Sequence, residues 1–429
     1  MAVTADDTIF ALSSGRPPAA VAVVRSSGRQ AFAAAEALAG KLPAVRRAVL
    51  KTLRAPSGGE VIDDALVLRF DGPASATGED VVEYQCHGGR AVVDALLAAL
   101  GSLPGMRLAE PGEFTRRAFA NGRIDLTEAE GLADLLEAET ESQRRAALLM
   151  AEGGLRRQIE AWGQRLVELS ARAEAAIDYV GDEDETAADE AALVGQAQAL
   201  AGELRAWLER PRAEPLKEGV RVVVAGPPNA GKSSLVNALA ETDKAIVTDI
   251  AGTTRDAIEV PLAIDGVPIL LIDTAGLRTS EDLVEAIGVT RAEDHIQRAD
   301  LILWLGEPGQ APAHPRLVRI HAQADHRGEA PEGSLAVSAV TGLGQSELSR
   351  RIVEETRDLL PGEGKVALNR RQAAELGDAR RALIEADGTD IVRTAEALRM
   401  ARSAFDRLSG RAGVEDMLDA LFGRFCLGK

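Results

Sequence analysis

Val222-Val-Val-Ala-Gly-Pro-Pro-Asn-Ala-Gly-Lys-Ser233 decides how this chain folds. The β-branched run Val222–Ala225 reads as a buried parallel strand. Gly226 to Ser233 follows the pattern G-x-x-x-x-G-K-[ST], and Ser234-Leu-Val-Asn-Ala-Leu239 reads as the helix after it. Glycines let backbone N–H groups come close to phosphate oxygens, and the positive end of a helix favours negative charge. Lys232 is expected to neutralise β- and γ-phosphate oxygens, and the Ser233 hydroxyl to ligate Mg²⁺. An ordinary Gly-rich turn is the bland alternative, and the strand–loop–helix setting argues against it.

Two further segments follow in the order such a site needs. Thr248-Asp-Ile-Ala-Gly-Thr-Thr-Arg-Asp256 is polar, and a threonine there, Thr254, can bind Mg²⁺ and sense a γ-phosphate. Alone it is only a polar loop. After the apolar Ile269–Ile272, however, Asp273-Thr-Ala-Gly276 supplies a carboxylate behind the metal and a glycine facing the γ-phosphate. The expected nucleotide contacts are Asn229, Ala230, Gly231, Lys232, Ser233 and Ser234, then Thr248, Asp249, Ile250, Ala251, Gly252, Thr253 and Thr254, then Asp273, Thr274, Ala275 and Gly276.

Base recognition is less clean. The usual N-K-x-D has become Ala322-Gln-Ala-Asp325, after the strand Leu317–Ile320. Asp325 can still accept from guanine N1–H and the exocyclic amine. Ser338-Ala339, after Leu335-Ala-Val337, fits a second base loop, with the Ala339 N–H facing guanine O6. Guanine is favoured over adenine, and weak nucleotide binding is expected.

The chain has 429 residues, which suggests two to four domains. Aromatics make up only 3%, so the cores must be built from Ala, Leu, Val and Ile. The net charge of −18 excludes a protein that passively coats nucleic acid. Two cysteines, Cys86 and Cys426, make no disulfide framework and point to a reducing compartment. With no long apolar stretch or leader-like start, a soluble cytoplasmic protein with no membrane span is expected.

Residues 1–118 alternate short strands (Val21–Val24, Ala65–Leu68, Val81–Tyr84) with helical patterns at Ala31–Leu38 and Ala91–Leu100, which predicts an α+β domain. Residues 119–215 are helical by period, in Leu126, Ala129, Leu132, Ala133, Leu136 and in Leu155, Ile159, Trp162, Leu166, Leu169. The acidic run Gly181–Glu185 is expected to be a solvated loop. Residues 216–365 are α/β, and 366–429 are helical again. The expectation is a multidomain α/β and α chain, with a nucleotide-binding domain inserted into a helical one.

The Gly226–Ser234 loop, Thr248–Asp256 and Asp273-Thr-Ala-Gly-Leu-Arg278 resemble the tRNA-modification GTPase family MnmE (TrmE). So do the tail Phe425-Cys-Leu-Gly-Lys429, Asp7-Thr-Ile9, Ser75–Asp80, Cys86–Gly89, Gly112–Arg116 and Asn121–Leu126. The resemblance spans essentially the whole chain. It departs at Ala76, where an aromatic is usual, at Arg123, where Lys is common, and in a segment before Ala322 that looks shortened. It implies an N-terminal α+β domain of folate-binding type that dimerises, and a helical domain carrying a P-loop, Ras-like GTPase. It also implies a homodimer that, with the FAD-dependent partner MnmG (GidA), modifies carbon 5 of the wobble uridine of certain tRNAs using a formyl-tetrahydrofolate.

The resemblance further assigns residues. Asn229, with Thr248, Ile250 and Thr253, is expected to hold K⁺ beside the β/γ-phosphates, where the cation neutralises charge as an arginine finger would. Glu285 is expected to orient the attacking water, because Leu277 stands where a Gln would follow Gly276. Arg25, Glu83, Arg123 and Lys429 match folate-contacting positions, and Cys426 is expected in the modification centre. Cys86 reads as packing, and His87 beside it makes no metal site alone. A GTP-dependent assembly switch with no part in base modification is the competing reading. The tail and the N-terminal motifs argue against it.

Overall fold

The computed structural model describes residues 7–178, 183–242, 258–274, 294–386, 390–412, 415–423, 425 and 428. The chain separates into two compact units, Met1–Ala133 with Asp406–Lys429, and Asp134–Phe405.

In the first unit, strands β1 (Thr8–Leu12), β2 (Val21–Ser27), β3 (Val49–Arg54), β4 (Val61–Phe70), β5 (Val81–His87) and β6 (Met106–Leu108) form one sheet in the order β3-β4-β5-β2-β1-β6. Neighbours run antiparallel, except β1 and β6. Helices α1 (Ala31–Ala39) and α2 (Arg90–Gly101) bury small and aliphatic side chains, among them Ala34, Ala35, Leu38, Val93, Leu96 and Leu100. These meet Val24, Leu53, Val67, Val82 and Tyr84 of the sheet. Each such Leu or Val, fully buried, contributes about 1.5–3 kcal/mol of transfer free energy. Cys86 belongs to this core at 2% exposure, its Sγ donating to the Ala22 carbonyl, and burial raises the thiol above its ordinary pKa.

The end of the chain returns to this unit. Helix Glu415–Phe422 and Phe425 pack with Ala129 and Ala133 of the helix Leu126–Glu137. Two glycines permit the close approach. A Cβ on Gly112 (φ 69°) would stand 2.2 Å from the Phe422 carbonyl oxygen, and one on Gly428 (φ 91°) 2.0 Å from that of Leu12. Gly428 therefore lies backbone-on-backbone against the end of β1.

A buried charge network, which follows no sequence period, holds the same region. Helix α3 (Glu113–Ala120) carries Arg117, 3% exposed, whose guanidinium donates to the Asp7 carbonyl (3.0 Å), Asp7 Oδ1 (2.9 Å), Glu79 Oε1 (3.2 Å) and Glu113 Oε1 (3.2 Å). Arg107 reaches Asp7 and Glu113 from the other side. Burial alone would raise the Asp7 and Glu113 carboxyls, but hydrogen bonds from the two arginines overcome it and hold both below their ordinary values. Arg117→Met should therefore take a cation from Glu79, Asp7 and the buried Glu113, leaving Arg107 alone on the last two, and destabilise this unit by about 3 kcal/mol, read as a lowered unfolding midpoint of the full chain. The sign with pH follows. A depressed folded pKa gives stability that is present above the unfolded value of about 4 and is lost as pH falls through the lower folded value. The difference between the two proteins should thus shrink below about pH 4.

In the second unit α5 (Glu141–Ala151) opens with a capping box between Thr140 and Gln143. Helix α6 (Gly154–Asp178) buries Leu155, Ile159, Trp162, Leu166, Leu169 and Ala173, the stripe its sequence predicts. Trp162 meets Trp207 edge-on at 5.2 Å and stacks on Phe405 at 5.9 Å. Helix α7 spans Glu183–Leu208. The expected loop at 181–185 is corrected in part, since Glu183, Asp184 and Glu185 are helical; acidic side chains suit the start of a helix. The inlet and outlet of the α/β segment are tied together. Ala213 N–H donates to the Leu368 carbonyl (3.1 Å), and Arg370 N–H donates to Glu214 Oε1 (2.5 Å).

Between them, β7 (Val220–Ala225), β8 (Ile258–Ile264), β9 (Val267–Asp273), β10 (Leu301–Trp304), β11 (Leu317–Ala322) and β12 (Leu335–Val337) form a second sheet, ordered β12-β11-β10-β7-β9-β8. All neighbours are parallel except the β8–β9 hairpin. The chain leaves β7 for β8 and β9 on one side and then crosses to β10 on the other. Ligands bind at such a switch point, outside the carboxyl ends of the strands.

Candidate functional site

The phosphate-loop sequence lies at that switch point, between β7 and α9 (Lys232–Thr242). Its turn uses three positive φ angles, at Gly226 (150°), Asn229 (58°) and Gly231 (93°). A Cβ on Gly226 would stand 3.2 Å from the Leu305 backbone, so a side chain would push the loop off β10. Ala230 is 2% exposed and anchors the loop in the core, whereas Asn229 faces solvent. Asparagine is among the few side chains that tolerate this left-handed conformation.

Lys232 is buried, and its Nζ donates to the carbonyls of Gly226 (3.0 Å) and Pro227 (2.8 Å), across the mouth of the loop. Ser233 Oγ donates to Asp273 Oδ2 at 2.6 Å. Asp273 ends β9 and pairs in register with Val224, whose carbonyl accepts from Thr274 Oγ1 at 2.9 Å. A cation, a hydroxyl and a carboxylate 1% exposed thus converge at the end of β7. Their donor set, a hydroxyl with a carboxylate behind it, fits a hydrated Mg²⁺ next to a phosphate chain. Asn229, Ala230, Gly231 and Ser234 stand with them on the loop and the first turn of α9. Thr248, Asp249, Ile250, Ala251, Gly252, Thr253, Thr254, Ala275, Gly276 and Glu285 lie outside the described residues.

The base loops also come to this end of the sheet. Ala324 N–H donates to the Val337 carbonyl (3.2 Å), so the Asp325 turn is tied to β12. The buried Ser338 hydroxyl hydrogen-bonds the Asp325 carboxylate and lowers its pKa. Ala339, half-buried, follows Ser338. The sequence reading missed Gln323. It occupies the lost Lys position with φ 58°, and its Nε2 would stand 3.4 Å from a Cβ on Gly231. Its side chain therefore lies over the phosphate loop.

In the N-terminal sheet Arg25 of β2 and Glu83 of β5 are direct cross-strand partners. Arg25 Nε and Nη2 both donate to Glu83 Oε1, at 3.0 and 2.8 Å, and the guanidinium carbon lies 5.7 Å from the Phe114 ring centre. Arg123 lies with its stem 3.2 Å from a Cβ on Gly78. Nearby, the Thr77 hydroxyl bonds Ser27 Oγ (2.7 Å) and the Thr77 carbonyl accepts from Asn121 Nδ2 (2.8 Å). Cys426 and Lys429 lie outside the described residues, although Phe425 and Gly428 beside them are placed. His87 Nδ1 pairs with Asp63 at 2.8 Å on the surface.

Residues 8–123 match the family model described as the GTP-binding protein TrmE N-terminus, and residues 126–426 match that of the MnmE helical domain. The tRNA modification GTPase MnmE of Erythrobacter litoralis is 54% identical over 99% of this chain and 100% of its own length. That of Novosphingobium aromaticivorans is 53% identical, with the same two coverages. Among solved structures, the G domain of the T. maritima FeoB iron transporter is 27% identical over 32% of this chain and 98% of its own, with a TM-score of 0.25. At that score the fold assignment rests on the strand order and not on the neighbour. Two family models that together span the chain, and relatives more than half identical from end to end, place this protein in the tRNA modification GTPase MnmE family.

Proposed function

We propose that this protein is a GTP hydrolase that works in tRNA modification, and that its hydrolysis is stimulated by K⁺. The observation that carries the reading is the convergence of Lys232, Ser233 and Asp273 at the carboxyl end of β7. Lys232 would leave the loop carbonyls for β/γ oxygens. Ser233 would bind Mg²⁺ directly and Asp273 through water, with Thr254 joining from its loop. Bound K⁺ would supply positive charge beside the β/γ-phosphates, held by Asn229, Thr248, Ile250 and Thr253. Glu285 would orient the attacking water, and Asp325 with Ala339 would read guanine.

The rest of the proposal concerns the modification itself. Arg25, Glu83, Arg123 and Lys429 would contact a formyl-tetrahydrofolate, with Cys426 close to it. Arg25 Nε and Nη2 both donate to Glu83 Oε1, so a carboxylate and a cation are held side by side on neighbouring strands. A homodimer acting with the FAD-dependent MnmG would modify carbon 5 of the wobble uridine of certain tRNAs in the cytoplasm. Among the described residues no helix is long and apolar enough to cross a membrane. The test is mass spectrometry of tRNA nucleosides from a strain lacking the protein. The modified wobble nucleoside should vanish and return with the intact gene. An unchanged nucleoside profile would leave a GTP-dependent assembly switch as the better account.

A further inference from the structure

We infer that His326 competes with the guanine base for Asp325 and so sets how tightly this protein holds its nucleotide; the inference rests on Asp325 as the guanine-reading carboxylate. Asp325 as a residue is open to solvent, but its side chain is only 14% exposed, because two neighbours cover the carboxylate. One is the Ser338 hydroxyl. Ser338 Oγ accepts from the backbone N–H groups of Val340 (3.3 Å) and Thr341 (3.1 Å), so its own proton is turned toward Asp325. The other is His326, whose Nε2 lies 3.0 Å from Asp325 Oδ2 while the ring is 81% exposed. At that distance the ring covers Oδ2 and closes it to a second partner.

The two partners come from opposite directions. Ser338 is fully buried and approaches from the protein side. Each carboxylate oxygen has two lone pairs, so this bond leaves acceptor capacity for a ligand. His326 approaches from solvent, the direction from which a base edge must come. A guanine presents N1–H and the exocyclic amine side by side and needs both oxygens, so it has to displace the imidazole from Oδ2. The ring is delivered by the backbone: the N–H groups of His326 and Arg327 both donate to the Gln323 carbonyl at 2.9 Å, closing the turn that carries Asp325. With Ala322 and Gln323 in place of Asn and Lys, base recognition leans on Asp325, and competition there has a large share of the effect.

Exposed pairs of this kind are weak, so His326→Ala should tighten GDP binding by roughly 1.5- to 5-fold. The measurement is calorimetric titration of the full-length protein with GDP, alongside Asp325→Asn and the double variant. Competition requires that Asp325→Asn weaken GDP and that His326→Ala bring no further gain in its background. Unchanged or weaker GDP binding by His326→Ala, with Asp325→Asn still weakening it, would overturn the competition and keep Asp325 as the reader. GDP binding unaffected by Asp325→Asn would overturn both.

Discussion

Phosphate release by this protein is expected to run on the order of 10³-fold faster in KCl than in NaCl, and Asn229→Ala should erase most of that difference. Charge builds on the transferring phosphoryl group, and something positive must meet it. Many GTPases use an arginine finger, and the candidates here, Arg255 and Arg278, sit beside Asp256 and close to Glu281, which suit structural pairing equally well. A monovalent cation bound at Asn229 is the alternative source. Asn229 is exposed on the loop in a left-handed conformation, so its side chain is not committed to the core. A cage built from it must match an ion's size, and Na⁺ is the smaller ion. Asn229→Ala should keep GTP binding, which Lys232 and the loop amides carry. Glu285→Ala should also lose hydrolysis yet keep K⁺-dependent closure of paired GTPase domains, because it acts on water and not on the cation. Steady-state phosphate release in the two salts, with a distance probe for closure, separates the three proteins. Equal rates of the unmodified protein in KCl and NaCl would sink the cation mechanism and return an arginine to the lead.

What could be read from the sequence was what local chemistry forces. The run Val222–Ala225 could only be a covered parallel strand, and it falls within β7. The period of Leu155, Ile159, Trp162, Leu166 and Leu169 fixed the buried face of α6. Strands β1, β3 and β6 escaped, because their sequences carry no clean alternation. Thr8–Leu12 is buried almost throughout, whereas Val49–Arg54 is an exposed edge in which only Leu53 is fully covered. The network of Asp7, Glu79, Arg107, Glu113 and Arg117 escaped for a different reason. Its members are scattered along the chain, and only the folded sheet brings them together. Asp325 was legible from its place after β11, but its partner His326 was not: charged neighbours in a sequence say nothing about which way their side chains turn. The return of Gly428 to Leu12 is likewise a tertiary fact, to which a lone glycine in a tail gives no clue.

Ser233→Ala is expected to lower GTP hydrolysis by about 10²- to 10³-fold while leaving the chain folded. The variant removes one hydroxyl, and that hydroxyl now spends its proton on Asp273 at 2.6 Å. Ser233 would hold Mg²⁺ directly through its oxygen, and Asp273, almost fully buried behind it, would accept from a metal-bound water. Without the hydroxyl the ion loses a direct ligand, and the charge it would place on the β/γ oxygens is no longer fixed in position. The unfolding midpoint should fall only modestly: the buried Asp273 carboxylate loses one hydrogen bond, and alanine, the better helix former in the first turn of α9, offsets part of that cost. The loss should also resist added metal: raising Mg²⁺ restores occupancy but not the geometry that polarises the phosphate. Phosphate release across a Mg²⁺ titration, with thermal unfolding of the same samples, distinguishes these effects. Full activity of Ser233→Ala at saturating Mg²⁺ and GTP would refute the reading of Gly226–Ser233 as a phosphate loop, however well its backbone fits one.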